Sequence, residues 1–259
     1  MVDADLTSYF DTIPHGALLA RVQEKVTDSK VLGLLKAFLV AKVMETAEGW
    51  TPEEGTPQGA VISPLLSNLY LDPLDRQMAA ARFEMIRYAD DFVILCRTEA
   101  EARQALEQVR MWTAQAGLTL HPLKTRIVDA TEVGGFDFLG YHFEQGKRWP
   151  RRKSLDKLKD TIRVQTRRTN GQSLPVIVTN LNRSLKGWFG YFQHSHRFTF
   201  RPLDQWVRER LRSLRRFRQG RPGRARGADY QRWPNAFFAA LGLFSLVAAH
   251  ALACQSSRR

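Results

Sequence analysis

Three carboxylates stand out for what their placing could do. Asp5 closes a short alternating run, Val2 to Leu6, and Asp90-Asp91 lies between two apolar stretches, Phe83 to Tyr88 and Phe92 to Cys96. An Asp-Asp pair alone is most often a plain turn. Here the apolar strands on either side put two acids at a hairpin tip, where they ask for a cation or a basic partner. Asp5, at a strand end opposite that tip, could converge with them on hard divalent cations. Mg²⁺ takes a few carboxylate oxygens and shares the rest of its shell with substrate phosphates. A pair of such ions, roughly 3.5–4 Å apart, clamps the attacking and leaving oxygens of a nucleotidyl transfer.

The elements that must hold these acids can be read from the same residues. Val2 to Leu6 predicts a strand, followed by a turn around Asp11 and Pro14. Leu18 to Val43 has helical apolar spacing, and Glu45 to Gly55 reads as a loop. Ala60 to Met78 predicts a largely buried helix, with Pro64 in its first turn and Pro73 set to kink or break it. Phe83 to Cys96 predicts a β-hairpin with the acids at its tip. Glu99 to Ala116 predicts a helix stopped by Gly117. Leu118 to Leu120, Arg126 to Val128 and Phe136 to Phe143 are strand candidates. The order strand, helix, hairpin, helix, strand is a split β-α-β arrangement with helices on one sheet face.

Bulk composition narrows the classes. Of 259 residues 44% are apolar, an ordinary globular share that suggests neither a disordered chain nor a multi-pass membrane protein. Cys96 and Cys254 are the only thiols, which argues against a disulfide scaffold or a zinc site and fits a reducing cytoplasm. The first residues lack the basic-then-apolar order of a signal peptide.

Charge is divided unevenly along the chain. Residues 1–140 carry 13 Lys and Arg against 20 Asp and Glu, whereas residues 141–259 carry 26 against 6. The basic half is the footprint of a phosphate-backbone partner. Its interleaved aromatics, among them Trp149, Trp188, Tyr191, Phe198, Trp206 and Trp233, give a core to pack and faces for bases to stack on, so a folded RNA-facing domain is expected rather than a tail. Lys147 to Lys153 reads as a basic linker. Arg208, Arg210, Arg212, Arg215, Arg216 and Arg218 crowd about three helical turns and are expected to repel one another unless an anion joins them. Ala236 to Cys254 is nearly long enough to span a bilayer. Its Gly, Ser, His and alanines weaken insertion, so a buried helix and no membrane association are expected.

Several segments in order resemble reverse transcriptase motifs of the bacterial group II intron lineage: Asp5 to Ile13 (DLTSYFDTI), Gly55 to Asn68 (GTPQGAVISPLLSN), Tyr88 to Asp91 (YADD), Gly117 to Thr125 (GLTLHPLKT) and Phe136 to Tyr141 (FDFLGY). Leu181 to Phe192 (LNRSLKGWFGYF) resembles the maturase signature of the same proteins. The resemblance implies an α+β fold. A polymerase right-hand palm, a split β-α-β antiparallel sheet with helices, would occupy residues 1–146, and an all-α thumb/maturase domain residues 147–259.

The resemblance also implies roles. Asp5, Asp90 and Asp91 would hold two Mg²⁺ ions, and Lys124 would protonate departing pyrophosphate. Phe10 would exclude a ribose 2′-OH, and Gln58 and Gly59 would touch the incoming nucleotide and the template. Arg183, Lys186, Arg208, Arg212, Arg215 and Arg216 would meet RNA. Implied partners are group II intron RNA, a DNA primer or target, and dNTPs. The implied activity is RNA-directed DNA polymerisation together with assistance to splicing and mobility.

Relatives of this kind carry a fingers region ahead of the first catalytic acid, and here four residues precede Asp5. The expectation is a truncated chain without fingers or an endonuclease segment, weak or dead as a polymerase alone. It would act through a separate fingers chain or a homodimer, or only as an RNA-binding maturase, or be a pseudogene product.

Overall fold

The computed structural model describes residues 1–40, 54–56 and 60–256. The chain divides into two compact units, Met1–Ala130 and Thr131–Arg259.

The first unit is built on a four-stranded antiparallel sheet. Its strands are β1 (Val2–Asp5), β2 (Glu84–Tyr88), β3 (Asp91–Leu95) and β4 (Arg126–Ile127), ordered β2-β3-β1-β4. Successive strand residues face opposite sides. Val2 and Ala4 of β1, with Phe92 and Ile94 of β3, are therefore buried in the core, while Asp3, Asp5 and Asp91 fall on the other face.

Helices α1 (Tyr9–Thr12), α2 (His15–Gln23), α3 (Ser29–Leu39), α4 (Ser63–Ala80) and α5 (Glu99–Gln115) complete the unit. The single helix expected from Leu18 onward is two, because Asp28 caps α3 by accepting from the amides of Lys30 (2.8 Å) and Val31 (3.2 Å). Pro73 does not break α4. A proline inside a helix costs about 3 kcal/mol. Leu66, Tyr70, Leu71, Leu74 and Met78, spaced on one face and buried, each return about 1.5–3 kcal/mol, so the helix runs through. Leu118 to Leu120 is not a strand; Leu120 makes one isolated bridge, to Leu6. The loop expected over Glu45 to Gly55 falls mostly outside the described residues.

The second unit starts with a three-stranded meander of β5 (Phe136–Phe138), β6 (Tyr141–Glu144) and β7 (Lys147–Pro150). The run Phe136 to Phe143 is thus a hairpin rather than one strand. Leu139 (φ 47°) and Gly140 (φ 80°) both take positive φ, as the tight primed turns of hairpins require. The residues expected as a linker from Lys147 form β7 and the start of a helix. Tyr191 Oη donates to Leu139 O (2.6 Å), Tyr141 Oη to Tyr191 O (2.5 Å) and the Arg151 amide to Gly140 O (2.8 Å), which ties this sheet to the helices that follow it.

Those helices are α6 (Arg152–Gln165), α7 (Leu174–Phe192), α8 (Phe200–Arg218), α9 (Gly227–Arg232), α10 (Asn235–Ala240) and α11 (Leu246–Ser256). Leu158 and Ile162, Leu181 and Leu185, and Val207 and Leu211 recur at four-residue spacing and meet in one core with Trp233, Phe238 and Leu246. The closing apolar stretch is not one buried helix. Gly242 (φ 77°) interrupts it, and of the residues of α11 only Leu246 is fully buried. No helix among the described residues is long and apolar enough to cross a membrane.

Candidate active site

Sheet register brings the acids together. Asp5 on β1 is the direct cross-strand partner of Asp91 on β3, and Tyr88 is the partner of Asp91 on the other side. Asp90 is therefore the second residue of a two-residue tip, after Ala89. Ala89 has φ 54°, a left-handed conformation that costs a non-glycine residue about 1–2 kcal/mol.

Arg87 supplies what holds that tip. Its Nη1 donates to Ala89 O (2.9 Å) and to Asn68 Oδ1 (3.0 Å). Its Nε donates to Asp75 Oδ1 (2.8 Å), and its Nη2 to the other oxygen of the same carboxylate. The side chain is only 9% exposed. A buried guanidinium thus links α4 to the hairpin through a fork-to-carboxylate pair, the geometry that fixes direction best. Sequence reading passed over Arg87. The available signal was a basic residue next to the tip in a hairpin strand, with acids on the preceding helix. Beneath the tip, Tyr9 Oη donates to Ser67 O (2.7 Å) in the core.

The carboxylates are crowded and partly removed from water. Burial pushes Asp91 up to about 6, and the charges of Asp5, Asp3 and Asp90 add to the shift while Lys124 opposes it. Asp90 is raised as well, by burial and then by Asp5. Lys124 sits in a turn folded over His121, whose carbonyl accepts from the amides of Lys124 (3.3 Å) and Thr125 (3.0 Å), and the His121 amide in turn donates to Asp5 O (2.8 Å). From this turn the Lys124 ammonium donates to Asp5 Oδ2, and that bond with the nearby negative charges raises its pKa. Arg126 similarly meets Asp3 at 3.2 Å.

This donor set fits a divalent cation chemically. Three hard carboxylates carry excess negative charge, and an ammonium has been drawn onto one of them. As placed, however, no group of three or more His, Cys, Asp or Glu side chains among the described residues is set to hold a metal ion. Asp5 is engaged by Lys124 instead.

Phe10 is half-buried on α1, packing on the core beside Tyr9 at 5.5 Å between ring centres. Its carbonyl accepts from the Thr56 amide (2.6 Å), and the Ile13 carbonyl from the Gly55 amide (2.8 Å), so the start of the Gly55 motif is fastened to α1. Gln58 and Gly59 lie outside the described residues.

The basic residues of the second unit separate into two kinds. Arg183 and Lys186 are exposed one turn apart on α7, Lys186 lying 5.9 Å from the Phe244 ring centre. Of the six arginines from Arg208 to Arg218 on α8, five are taken up by separate partners in the protein rather than facing one another, and Arg210 lines a cavity. Arg212 is 4% exposed, donates from Nε to Trp233 O (2.9 Å) and from Nη2 to Asn235 Oδ1 (2.8 Å), and lies over Tyr230 and Phe238. Arg216 pairs with buried Asp229 (2.7 Å), and Arg208 lies 3.9 Å from Asp204. Arg215 covers Trp233 and Phe237, and Arg218 donates to the Asn170 and Gln172 carbonyls. Helical spacing fans these side chains around the axis to different partners, which linear crowding does not convey.

Comparison with known proteins gives the family. Residues 1–143 match the family described as reverse transcriptase (RNA-dependent DNA polymerase), and residues 155–233 match the group II intron, maturase-specific domain. The chain belongs to the reverse transcriptase family and carries a group II intron maturase-specific domain. Protein YkfC of Escherichia coli (strain K12) is 30% identical over 176 residues, covering 54% of this chain and 46% of that protein. Group II intron-encoded protein LtrA of Lactococcus lactis subsp. cremoris is 39% identical over 75 residues, covering 29% and 12%. Nuclear intron maturase 2, mitochondrial, of Arabidopsis thaliana is 26% identical over 215 residues, covering 68% and 28%. The chain spans less than half the length of each of these relatives. Members of the reverse transcriptase family typically use a divalent metal.

Proposed function

We propose that this chain is the palm and thumb of an RNA-directed DNA polymerase of a group II intron, whose second unit binds intron RNA to assist splicing and mobility. The observation that carries the reading is the pairing of Asp5 with Asp91 across β1 and β3, with Asp90 beside them on a tip clamped by Arg87.

In this reading Asp5, Asp90 and Asp91 would hold two Mg²⁺ ions, which when bound would supply charge neutralisation to the transfer. The protein's own contribution is position and charge. Arg87 keeps the tip from drifting, and productive geometry of this kind accounts for much of a phosphoryl-transfer rate. Lys124 keeps a proton at Nζ beside the acids and gives it to departing pyrophosphate. Phe10 presents a ring edge against a ribose 2′-OH, and Gln58 and Gly59 contact nucleotide and template. Arg183 and Lys186, exposed on α7, meet phosphates of the RNA. The partners are intron RNA, a DNA primer and dNTPs.

Primer extension on an RNA template with Mg²⁺ tests this. Extended product that disappears with Asp90→Ala supports the polymerase reading. Absence of product, with RNA binding kept, leaves an RNA-binding maturase alone.

A further inference from the structure

The second unit contains a cavity of about 540 Å³ between the end of α6, the middle of α8 and the loop before α9. Its walls include Arg163, Arg168, Trp206, Glu209, Arg210 and Arg224. Arg163 is paired with Asp160 (2.5 Å), so Arg168, Arg210 and Arg224 against Glu209, itself bonded by Tyr230 Oη (2.5 Å), give the net positive lining.

Arg210 is the fixed member. Its Nε donates to Thr166 Oγ1 (3.0 Å), and its Nη2 to the carbonyls of Thr166 (3.3 Å) and Arg163 (3.4 Å). All of these acceptors are neutral. Arg168 likewise donates to a carbonyl, that of Gly223 (3.1 Å), and Arg163 lies 5.7 Å from the Trp206 ring centre. Burial, with Arg163 and Arg168 close by, disfavours the charged form of Arg210. An anion entering the cavity would relieve that.

The space is far larger than an inorganic phosphate needs and lies in the range of sites for nucleotide-sized ligands. The Arg163 guanidinium lies over the Trp206 ring, and a base entering the cavity takes that place on the indole face, since bases stack on aromatic rings irrespective of sequence.

We propose that this cavity seats one unpaired nucleotide of a bound RNA, with its phosphate among Arg168, Arg210 and Arg224 and its base against Trp206. The inference rests on the RNA-binding reading above and adds to it a place and a preference for single strands.

The test measures binding of a fluorescent 12-nucleotide uridine RNA and of a blunt RNA duplex to the full chain, across a salt series. Arg168→Gln combined with Arg224→Gln, on exposed side chains, should weaken the single strand at least about tenfold. It should also flatten the log–log salt slope by about 0.7, the share of one phosphate on a single strand, while duplex affinity stays within about twofold. Trp206→Leu should weaken the single strand by on the order of 5- to 150-fold.

Equal weakening of duplex and single strand would mean a general electrostatic field and overturn the proposal. So would variants that bind as the wild type does. Uridine monophosphate and inorganic phosphate serve as competitors. If either is lost with the arginine pair while RNA binding is not, the cavity takes a free anion and the proposal fails. A wild-type chain that binds no RNA at all sinks the broader reading and this one with it. RNA bound equally by wild type and variants sinks only the cavity.

Discussion

Neutralising Asp91 should stabilise the metal-free protein while disabling it. In the fold its carboxyl is pushed up to about 6 from an ordinary value of 3.8. Two pKa units at about 1.36 kcal/mol each set an upper bound near 3 kcal/mol. The tip is only partly buried, so solvent screening leaves about 2 kcal/mol. The sign follows from an acid whose pKa is raised by folding. No penalty exists below pH 4, stability falls as pH rises through 6, and the full penalty is present above about pH 7. Asp91→Asn should therefore gain about 2 kcal/mol at pH 7.5 and almost nothing at pH 3.5. Urea unfolding read through amide hydrogen exchange of peptides covering β2 and β3 reports on the first unit alone, which matters because two compact units need not unfold together. The midpoint should rise by about 1 M urea. Millimolar Mg²⁺ should stabilise the wild type more than the variant, because binding to the native state adds to its stability. A variant no more stable than wild type at pH 7.5, or equally stabilised at both pH values, would refute the view that burial, with the charges of Asp5, Asp3 and Asp90, penalises the Asp91 carboxylate.

Arg87→Ala should cost the first unit about 2–3 kcal/mol in the same urea assay. Truncating one partner of a buried ion pair costs about 3–5 kcal/mol, reduced here because the Asp75 side chain is 38% exposed and rehydrates; a loss below about 0.5 kcal/mol would remove its role as a clamp. Arg212→Ala should lower the thermal midpoint of the second unit, since it strands the buried Trp233 carbonyl at a cost of about 1–3 kcal/mol. Arg183→Ala should leave melting unchanged and weaken RNA binding only; the reverse pattern would contradict the burial seen here. Gly135→Ala places a Cβ 1.9 Å from Phe143 O and should destabilise far more than Gly146→Ala, which meets nothing within 4 Å and costs only the roughly 1–2 kcal/mol of its positive φ. Comparable midpoints for the two would argue against the tight strand approach at Gly135.

The sequence by itself determined the family and much of the secondary structure around the candidate acids. Asp5 at a strand end, the acids on a hairpin tip and a helix capped off at Gly117 were legible because strand alternation, turn residues and capping act over a few neighbours. So was the lineage, since several ordered motifs leave little room for coincidence. What only the tertiary structure decided depends on partners distant in the chain. Asp5 is matched to Asp91 through sheet register, and Lys124 comes to Asp5 from 119 residues away. Arg87 reaches back to α4 to hold Ala89, and no local pattern announces that reach. The α8 arginines looked alike as a string of charges. Folding sends Arg212 and Arg216 to buried acceptors and leaves Arg210 facing a cavity, because the free energy of a charge is set by what surrounds it in space.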